Sequence, residues 1–297
     1  MTAAPVVPAD AVEVIRLWPD GPPTRIDGVG DEVTYPAPPG LAIGTTFLRN
    51  ISDPTLTVFE PRADRANGVG VIVVPGGGWT INAWTHEGLE VARWLAGAGY
   101  RPFLLKYRVQ GSDPDQAAFE AQMAVVDAAL ATRRPVAQLP RAISDLISTD
   151  GYHQARAAAA DDGRRAITIV REEAARFGVR ADTVGMIGFS AGAFLAVDVA
   201  LDLRDAPLAF VGAIYGGETL GAPVPVDAPP LFSVVAQDDI LWQIVEGLHA
   251  DWSAADRSSE LHVFARGSHG FGMVRQGTSS DRWTDLFLAW LDDRGVR

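Results

Sequence analysis

Val184-Gly-Met-Ile-Gly-Phe-Ser-Ala-Gly-Ala193 decides how this 297-residue chain is read. Thr183 to Phe189 is a short apolar run of the kind that forms a strand covered on both faces. From Ser190-Ala191-Gly192-Ala193 onward the pattern becomes helical, continuing to about Leu203. Ser190 therefore stands on a strand-to-helix turn, inside Gly188-Phe189-Ser190-Ala191-Gly192. A G-x-S-x-G match alone is a weak signal, and its plain alternative is a glycine-lined turn that packs a helix on a strand. The strand before it and the helix after it supply the context of a nucleophile elbow. Small neighbours permit the tight turn, and the serine oxygen projects at the positive end of the helix.

Working outward, the same alternation repeats. Upstream, Thr55 to Phe59, Val69 to Val74 and Pro102 to Tyr107 read as strands, with helical spacing from Glu87 to Ala98 and from Ala155 to Phe177. Downstream, Leu208 to Tyr215, Leu231 to Ala236 and Leu261 to Phe264 are short apolar strands, and Trp283 to Asp292 is an amphipathic closing helix. Alternating strands and helices predict an α/β fold with a mainly parallel sheet flanked by helices. One domain over residues 1–297 is expected. Two stretches depart from the rhythm: a Pro- and Gly-rich arm over about 1–45, and an insertion over about 111–155. The insertion contains helical pieces at Ala117–Thr132 and Arg141–Ile147, broken by Pro135 and Pro140. It is longer than the usual connection in such a fold and is expected to be a lid over the sheet, or else a helical decoration or an oligomer contact.

Composition narrows the function. At 47% hydrophobic and 21% charged, the chain can bury a large core. A net charge of -12 argues against nucleic acid or an anionic membrane surface as partner. The absence of cysteine excludes thiol catalysis, disulfides and cysteine-bound metal. No apolar run reaches the roughly 20 residues of a membrane span. Met1-Thr-Ala-Ala-Pro-Val-Val-Pro8 is not a signal peptide as it stands, so a soluble protein is expected, with cytoplasm, periplasm and secretion all open. H-E-x-x-H, P-loop and G-x-G-x-x-G patterns are absent, so no metal or other cofactor is expected.

A serine hydroxyl needs an imidazole to take its proton and a carboxylate to hold that imidazole in the right tautomer. Behind a nucleophile elbow the order is serine, acid, histidine. Among the histidines after Ser190, His249 falls mid-helix and His262 within a strand. His269 sits in Arg266-Gly-Ser-His-Gly-Phe-Gly272, a glycine-rich loop directly after the last strand, and is the expected base. Gln237-Asp238-Asp239 follows the preceding strand. Asp239 is favoured as the orienting acid and Asp238 is the alternate, while both acids could instead cap a helix. Pro75-Gly76-Gly77-Gly78-Trp79 follows an early buried strand, where an oxyanion hole is expected; Gly77 and Gly78 are assigned to it, with the Ala191 N–H as the other donor. Trp79, Trp84 and Trp242 flank these loops and are candidates for an aromatic wall against an acyl group or sugar, although bulky core residues need no such role. His86-Glu87 reads as a helix start rather than part of a site.

Several segments, in order, resemble bacterial acetylxylan-esterase-like hydrolases, akin to the acetyl-esterase and hormone-sensitive-lipase group. They are Leu17-Trp-Pro19, Pro54-Thr-Leu-Thr-Val-Phe-Glu-Pro61, Pro75-Gly-Gly-Gly78, Leu105-Lys-Tyr-Arg108, Gly188-Phe-Ser-Ala-Gly192, Asp238-Asp239, Glu260-Leu-His-Val-Phe264 and Gly270-Phe-Gly272. The resemblance implies an α/β-hydrolase fold and a carboxylic ester hydrolase, often one that removes acetyl groups from plant polysaccharides. It carries the triad onto Ser190, Asp239 and His269. Pro75 stands where the lipase-like group has histidine, Ala193 where many relatives have glycine, and the 111–155 stretch is longer than the family pattern. The expected partner is a small-molecule or carbohydrate ester, with oligomeric state open. The alternatives are a peptidase or amidase on the same triad, and a non-catalytic ligand-binding module.

Overall fold

The computed structural model describes residues 7–36, 45–132, 141–203 and 207–296, with side chains described except for 141 and 142. Pro135 and Pro140, expected to break the insertion, lie outside the described residues, as do the chain start at 1–6 and residues 37–44 of the arm.

In chain order, β1 (Ala11–Arg16), β2 (Val33–Pro36), β3 (Thr46–Arg49) and β4 (Thr55–Phe59) precede β5 (Gly70–Val74). A two-residue β6 (Ile81–Asn82), a π-helical turn (Thr85–Leu89), α1 (Glu90–Ala98) and β7 (Arg101–Lys106) follow. The inserted stretch contributes α2 (Gln116–Leu130) and α3 (Arg141–Ile147). Then come α4 (Asp150–Glu172), α5 (Ala174–Phe177), β8 (Val184–Phe189) and α6 (Ala191–Asp202). The chain closes through β9 (Val211–Ile214), β10 (Leu231–Ala236), α7 (Trp242–Ala254), β11 (Ser259–Phe264) and α8 (Trp283–Asp293).

Eight strands form one sheet in the order β1-β4-β7-β5-β8-β9-β10-β11. From β7 to β11 every neighbouring pair is parallel, while β4 and β1 are antiparallel additions at one edge. The apolar runs are explained by this position. β5, β8 and β10 are buried at every residue, so no alternation of polar and apolar side chains is needed. Each fully buried Val or Ile there contributes about 1.5–3 kcal/mol of hydrophobic stabilisation. The closing helix α8 buries Trp283, Phe287, Trp290 and Leu291, the spacing of a single helical stripe. The Pro- and Gly-rich arm is not wholly irregular: β1 joins the main sheet, and β2 pairs with β3, which also pairs with β6, in a separate three-stranded sheet.

Two helices start elsewhere than their periodicity suggests. The helix expected from Ala155 begins at Asp150, because the Thr149 side chain accepts the Tyr152 N–H and caps it, and it breaks at Glu173 before the short α5. The helix expected from Glu87 begins as the π-helical turn, with α1 proper from Glu90 to Ala98.

A buried ion pair ties the arm, the sheet and α4 together. Arg108, just beyond β7, bonds through its guanidinium to Asp162 of α4 at 2.8 Å, and the two side chains are 2% and 0% exposed. The Trp18 indole N–H donates to the same carboxylate at 2.7 Å. Burial pushes the Asp162 carboxyl above its ordinary range, against the opposing pull of Arg108 and Trp18. In the inserted stretch, Phe119 of α2 is fully buried, edge-on to Tyr35 at 5.3 Å and beneath the Arg49 guanidinium at 4.6 Å. Arg49 also donates to Ser112 and Gln116, so a scaffold strand holds the start of α2. Among the described residues, no helix is long and apolar enough to cross a membrane.

Candidate active site

Ser190 lies between β8 and α6 at φ 48°, ψ −119°, a conformation that L-residues rarely adopt. Its N–H is held by the Ile214 carbonyl at 2.9 Å, and its own carbonyl receives the Ala193 and Phe194 N–H groups as α6 starts. The turn closes only because its flanks are small. A Cβ on Gly188 would stand 2.0 Å from the Gly192 carbonyl oxygen. The hydroxyl is thus set above the C-terminal edge of the sheet at a helix N-terminus.

His269 approaches from the loop after β11. Its Nε2 is 2.8 Å from Ser190 Oγ, and its Nδ1 is 2.9 Å from Asp239 Oδ2. Asp239 is 0% exposed and also accepts the Leu241 N–H. Asp238 takes a different part: it accepts the Ser268 N–H at 2.8 Å and braces the histidine loop. The two acids thus hold one loop in two ways, one through the ring and one through the backbone. Asp239, favoured over Asp238 from the sequence, is the one that meets the ring. His249 bonds to Ser259 and His262 to Glu260, both away from this cluster.

Burial acts most strongly on the His269 ring and favours its neutral form. The charge and hydrogen bond of Asp239, then the charges of Glu87 and Asp127, outweigh it and raise the ring above its ordinary range. Asp239 at Nδ1 fixes the tautomer that leaves Nε2 as acceptor towards Ser190.

The glycine loop follows β5. Gly77 has φ 133°, and a Cβ there would lie 2.2 Å from the Ile81 carbonyl oxygen, so no other residue fits. The loop folds on itself through the Thr80 and Ile81 N–H groups, which both donate to the Gly77 carbonyl. Among the described residues, none accepts from the N–H groups of Gly77, Gly78 or Ala191.

The aromatic-wall expectation fails for two of its three members. Trp79 is 0% exposed, edge-on to Tyr107 and Tyr152, and Trp84 is 1% exposed. Both rings are spent on packing, the bland alternative for bulky residues beside a glycine turn. Trp242, partly exposed, packs on the core at the start of α7.

Glu87, expected only to start a helix, is instead a buried carboxylate of the site. It accepts the Gly76 N–H at 2.7 Å and the Tyr215 hydroxyl at 2.6 Å. Tyr215 follows β9, and its ring packs edge-on to His269 at 5.2 Å. Neither carries a sequence signal: Glu87 is an acid at a helix start, and Tyr215 is one aromatic at a strand end. A cavity of about 460 Å³ lies between α2, α3 and the segment at Gln110–Asp113, and its wall includes none of Ser190, Asp239, His269, Glu87 or Tyr215. Its wall includes Thr80 and Leu146, and Leu146 reaches within 3.8 Å of where a Cβ on Gly78 would be.

The fold is matched by known proteins. Residues 153–227, which contain Ser190, match the family model described as alpha/beta hydrolase fold. This chain has the α/β-hydrolase fold. The solved acetyl ester-xyloside bifunctional hydrolase from Caldicellulosiruptor lactoaceticus superposes on the hydrolase fold with a TM-score of 0.63 at 19% identity, over 99% of both chains. A carboxylesterase from Lactobacillus plantarum gives 0.57 at 14% identity, covering 90% of this α/β-hydrolase chain and 98% of its own. An esterase from Pyrobaculum calidifontis gives 0.56 at 17% identity, over 90% and 84%. No curated protein matches the sequence.

Proposed function

We propose that this α/β-hydrolase is a serine carboxylic ester hydrolase that works through an acyl-enzyme. The reading rests on one observation above all: Ser190 Oγ, the two nitrogens of His269 and the buried Asp239 carboxylate form a continuous chain of contacts at 2.8 and 2.9 Å. His269 takes the Ser190 proton as Oγ attacks the ester carbonyl, and Asp239 holds the resulting imidazolium. The N–H groups of Gly77, Gly78 and Ala191 receive the negative charge that develops on the carbonyl oxygen. His269 then passes its proton to the departing alcohol. In the second half it draws a proton from the water that attacks the acyl carbon, then returns that proton to Ser190 Oγ as the acid departs, which restores the neutral ring and the free hydroxyl.

The cavity between α2 and α3 has a mixed wall, with Val125, Val126 and Leu146 beside its polar groups, and suits the alcohol portion of an acetylated carbohydrate, which presents both hydroxyls and an apolar ring face. Gln110, Ser112, Asp113, Gln122 and Thr149 bring amides, hydroxyls and a carboxylate to its wall. Short acyl esters are the other half of this reading. The inserted stretch acts as a lid over the site, and the partly exposed Trp242 is the flanking tryptophan that remains a candidate ligand contact. p-Nitrophenyl esters of rising chain length, acetylated xylan and an aminoacyl anilide, assayed side by side, test the proposal. Turnover greatest on short esters and on acetylated xylan is expected. Turnover confined to the anilide would replace it with a peptidase or amidase.

A further inference from the structure

A single buried carboxylate lies between the two halves of this site. Glu87 is 3% exposed, on the π-helical turn after the glycine loop. One of its oxygens accepts the N–H of Gly76, the residue before the oxyanion glycines, at 2.7 Å. The other accepts the Tyr215 hydroxyl at 2.6 Å. The Tyr215 oxygen in turn accepts the N–H of Gly272, three residues after His269, at 3.0 Å. A second bond runs alongside, from the Met273 N–H to the His86 carbonyl. This buried carboxylate has a donor for each oxygen: Gly76 on the glycine loop, and Tyr215, which in turn holds the His269 loop through Gly272.

We propose that Glu87 is a positioning residue that ties the Gly77–Gly78 loop to the His269 loop through Tyr215, and that its charge holds the imidazolium formed when Ser190 gives up its proton. The proposal rests on the esterase reading above. Span and charge are separate contributions. The span requires a side chain long enough to meet Gly76 and Tyr215 together. The charge is placed by the Tyr215 hydroxyl, which bonds the carboxylate at 2.6 Å while its ring lies 5.2 Å from that of His269; Asp239 and Asp127 of α2 add to it. The Tyr215 ring and the Ser190 hydroxyl complete the groups facing that imidazole. Around Glu87 itself stand Tyr215, Tyr107 and the His86 ring, whose Nε2 is 3.8 Å away.

Three substitutions separate the contributions. Glu87→Gln keeps the shape and removes the charge. A roughly 10- to 100-fold fall in kcat is expected from small misplacement of reacting groups, with KM little changed. Its acid limb of kcat/KM should move to lower pH. Glu87→Asp keeps the charge and loses the span, so kcat falls while the limb stays nearer the parent's. Tyr215→Phe keeps ring and carboxylate but removes the bridging hydroxyl, and lowers kcat without moving the limb down. NMR titration of the His269 ring in parent and Glu87→Gln reads the charge effect without any turnover. Folded Glu87→Gln with parental kcat and an unmoved ring titration would overturn the proposal. If Glu87→Gln does not fold, parental kcat in Tyr215→Phe overturns it. A parent protein that neither turns over esters nor reacts with a fluorophosphonate defeats the esterase reading instead, and the ring titration still decides the charge effect.

Discussion

Asp239 has no exposed surface, yet both of its carboxylate oxygens lie within 3.1 Å of His269 Nδ1. Its neighbour Asp238 meets only the backbone of the same loop. Adjacent acids thus differ in what they hold, and their substitutions should differ in kind. Asp239→Asn puts an amide against Nδ1, favours the wrong tautomer and should lower kcat about 10⁴-fold with the fold intact. Asp238→Ala removes one acceptor from a backbone N–H, and a loss within about tenfold is expected. Steady-state kinetics on p-nitrophenyl acetate compares the two.

The pH dependence follows from the His269 ring. Burial pulls it towards neutrality, but Asp239, Glu87 and Asp127 carry it above its ordinary value. The ring must be neutral to accept the Ser190 proton. Activity is therefore lost as pH falls through a raised value, and the acid limb of kcat/KM should lie above the roughly 6.5 of a free imidazole. The stability contribution runs with the opposite sense. A raised folded-state value stabilises the fold at low pH, and that contribution disappears as pH rises through it. A kcat/KM profile between pH 4 and 9 checks the limb; one centred below the free-imidazole value would contradict this balance of charges.

Gly77 tests the oxyanion loop. Any side chain there meets the Ile81 carbonyl at 2.2 Å and must adopt φ 133°. Gly77→Ala should cost about 1–3 kcal/mol of stability from backbone strain. It should also lower kcat by about 10²–10³-fold as donors move off the oxyanion. Urea denaturation and kinetics on the same preparation separate the two losses.

Arg108 and Asp162 test the frame rather than the chemistry. Arg108→Met leaves the fully buried Asp162 carboxylate without its cation, held only by Trp18 and a backbone N–H. Destabilisation of about 3–5 kcal/mol is expected. Adding Asp162→Leu should recover part of it, since two apolar residues leave no charge buried. Chemical denaturation midpoints of the single and double variants measure the difference.

The elements that build the sheet were legible in the sequence because both faces of β5, β8 and β10 are covered and their composition has no polar option. Ser190 was legible because it follows such a strand in a glycine-flanked turn, and His269 because it stands in a glycine-rich loop directly after the last strand, although β11 itself is only partly covered. Asp239 was separable from Asp238 only as a preference, since adjacent acids on one loop carry no sequence mark of which turns inward. Glu87 was hidden for a different reason. An acid at the start of a helix is ordinary, and only the long-range contacts with Gly76 and Tyr215 distinguish it. Trp79 and Trp84 misled in the opposite direction, because proximity to a glycine loop along the chain does not say which way a ring faces. The β2-β3-β6 sheet was missed because its strands are at most four residues long and far apart in sequence.

Ser190 is the residue proposed to carry the acyl group. The most direct measurement is mass spectrometry of the parent protein and Ser190→Ala after reaction with a fluorophosphonate. One adduct is expected on the parent, mapped to the peptide containing Ser190, and none on the variant, together with loss of p-nitrophenyl acetate turnover. An adduct on another residue, or equal labelling of Ser190→Ala, would contradict it.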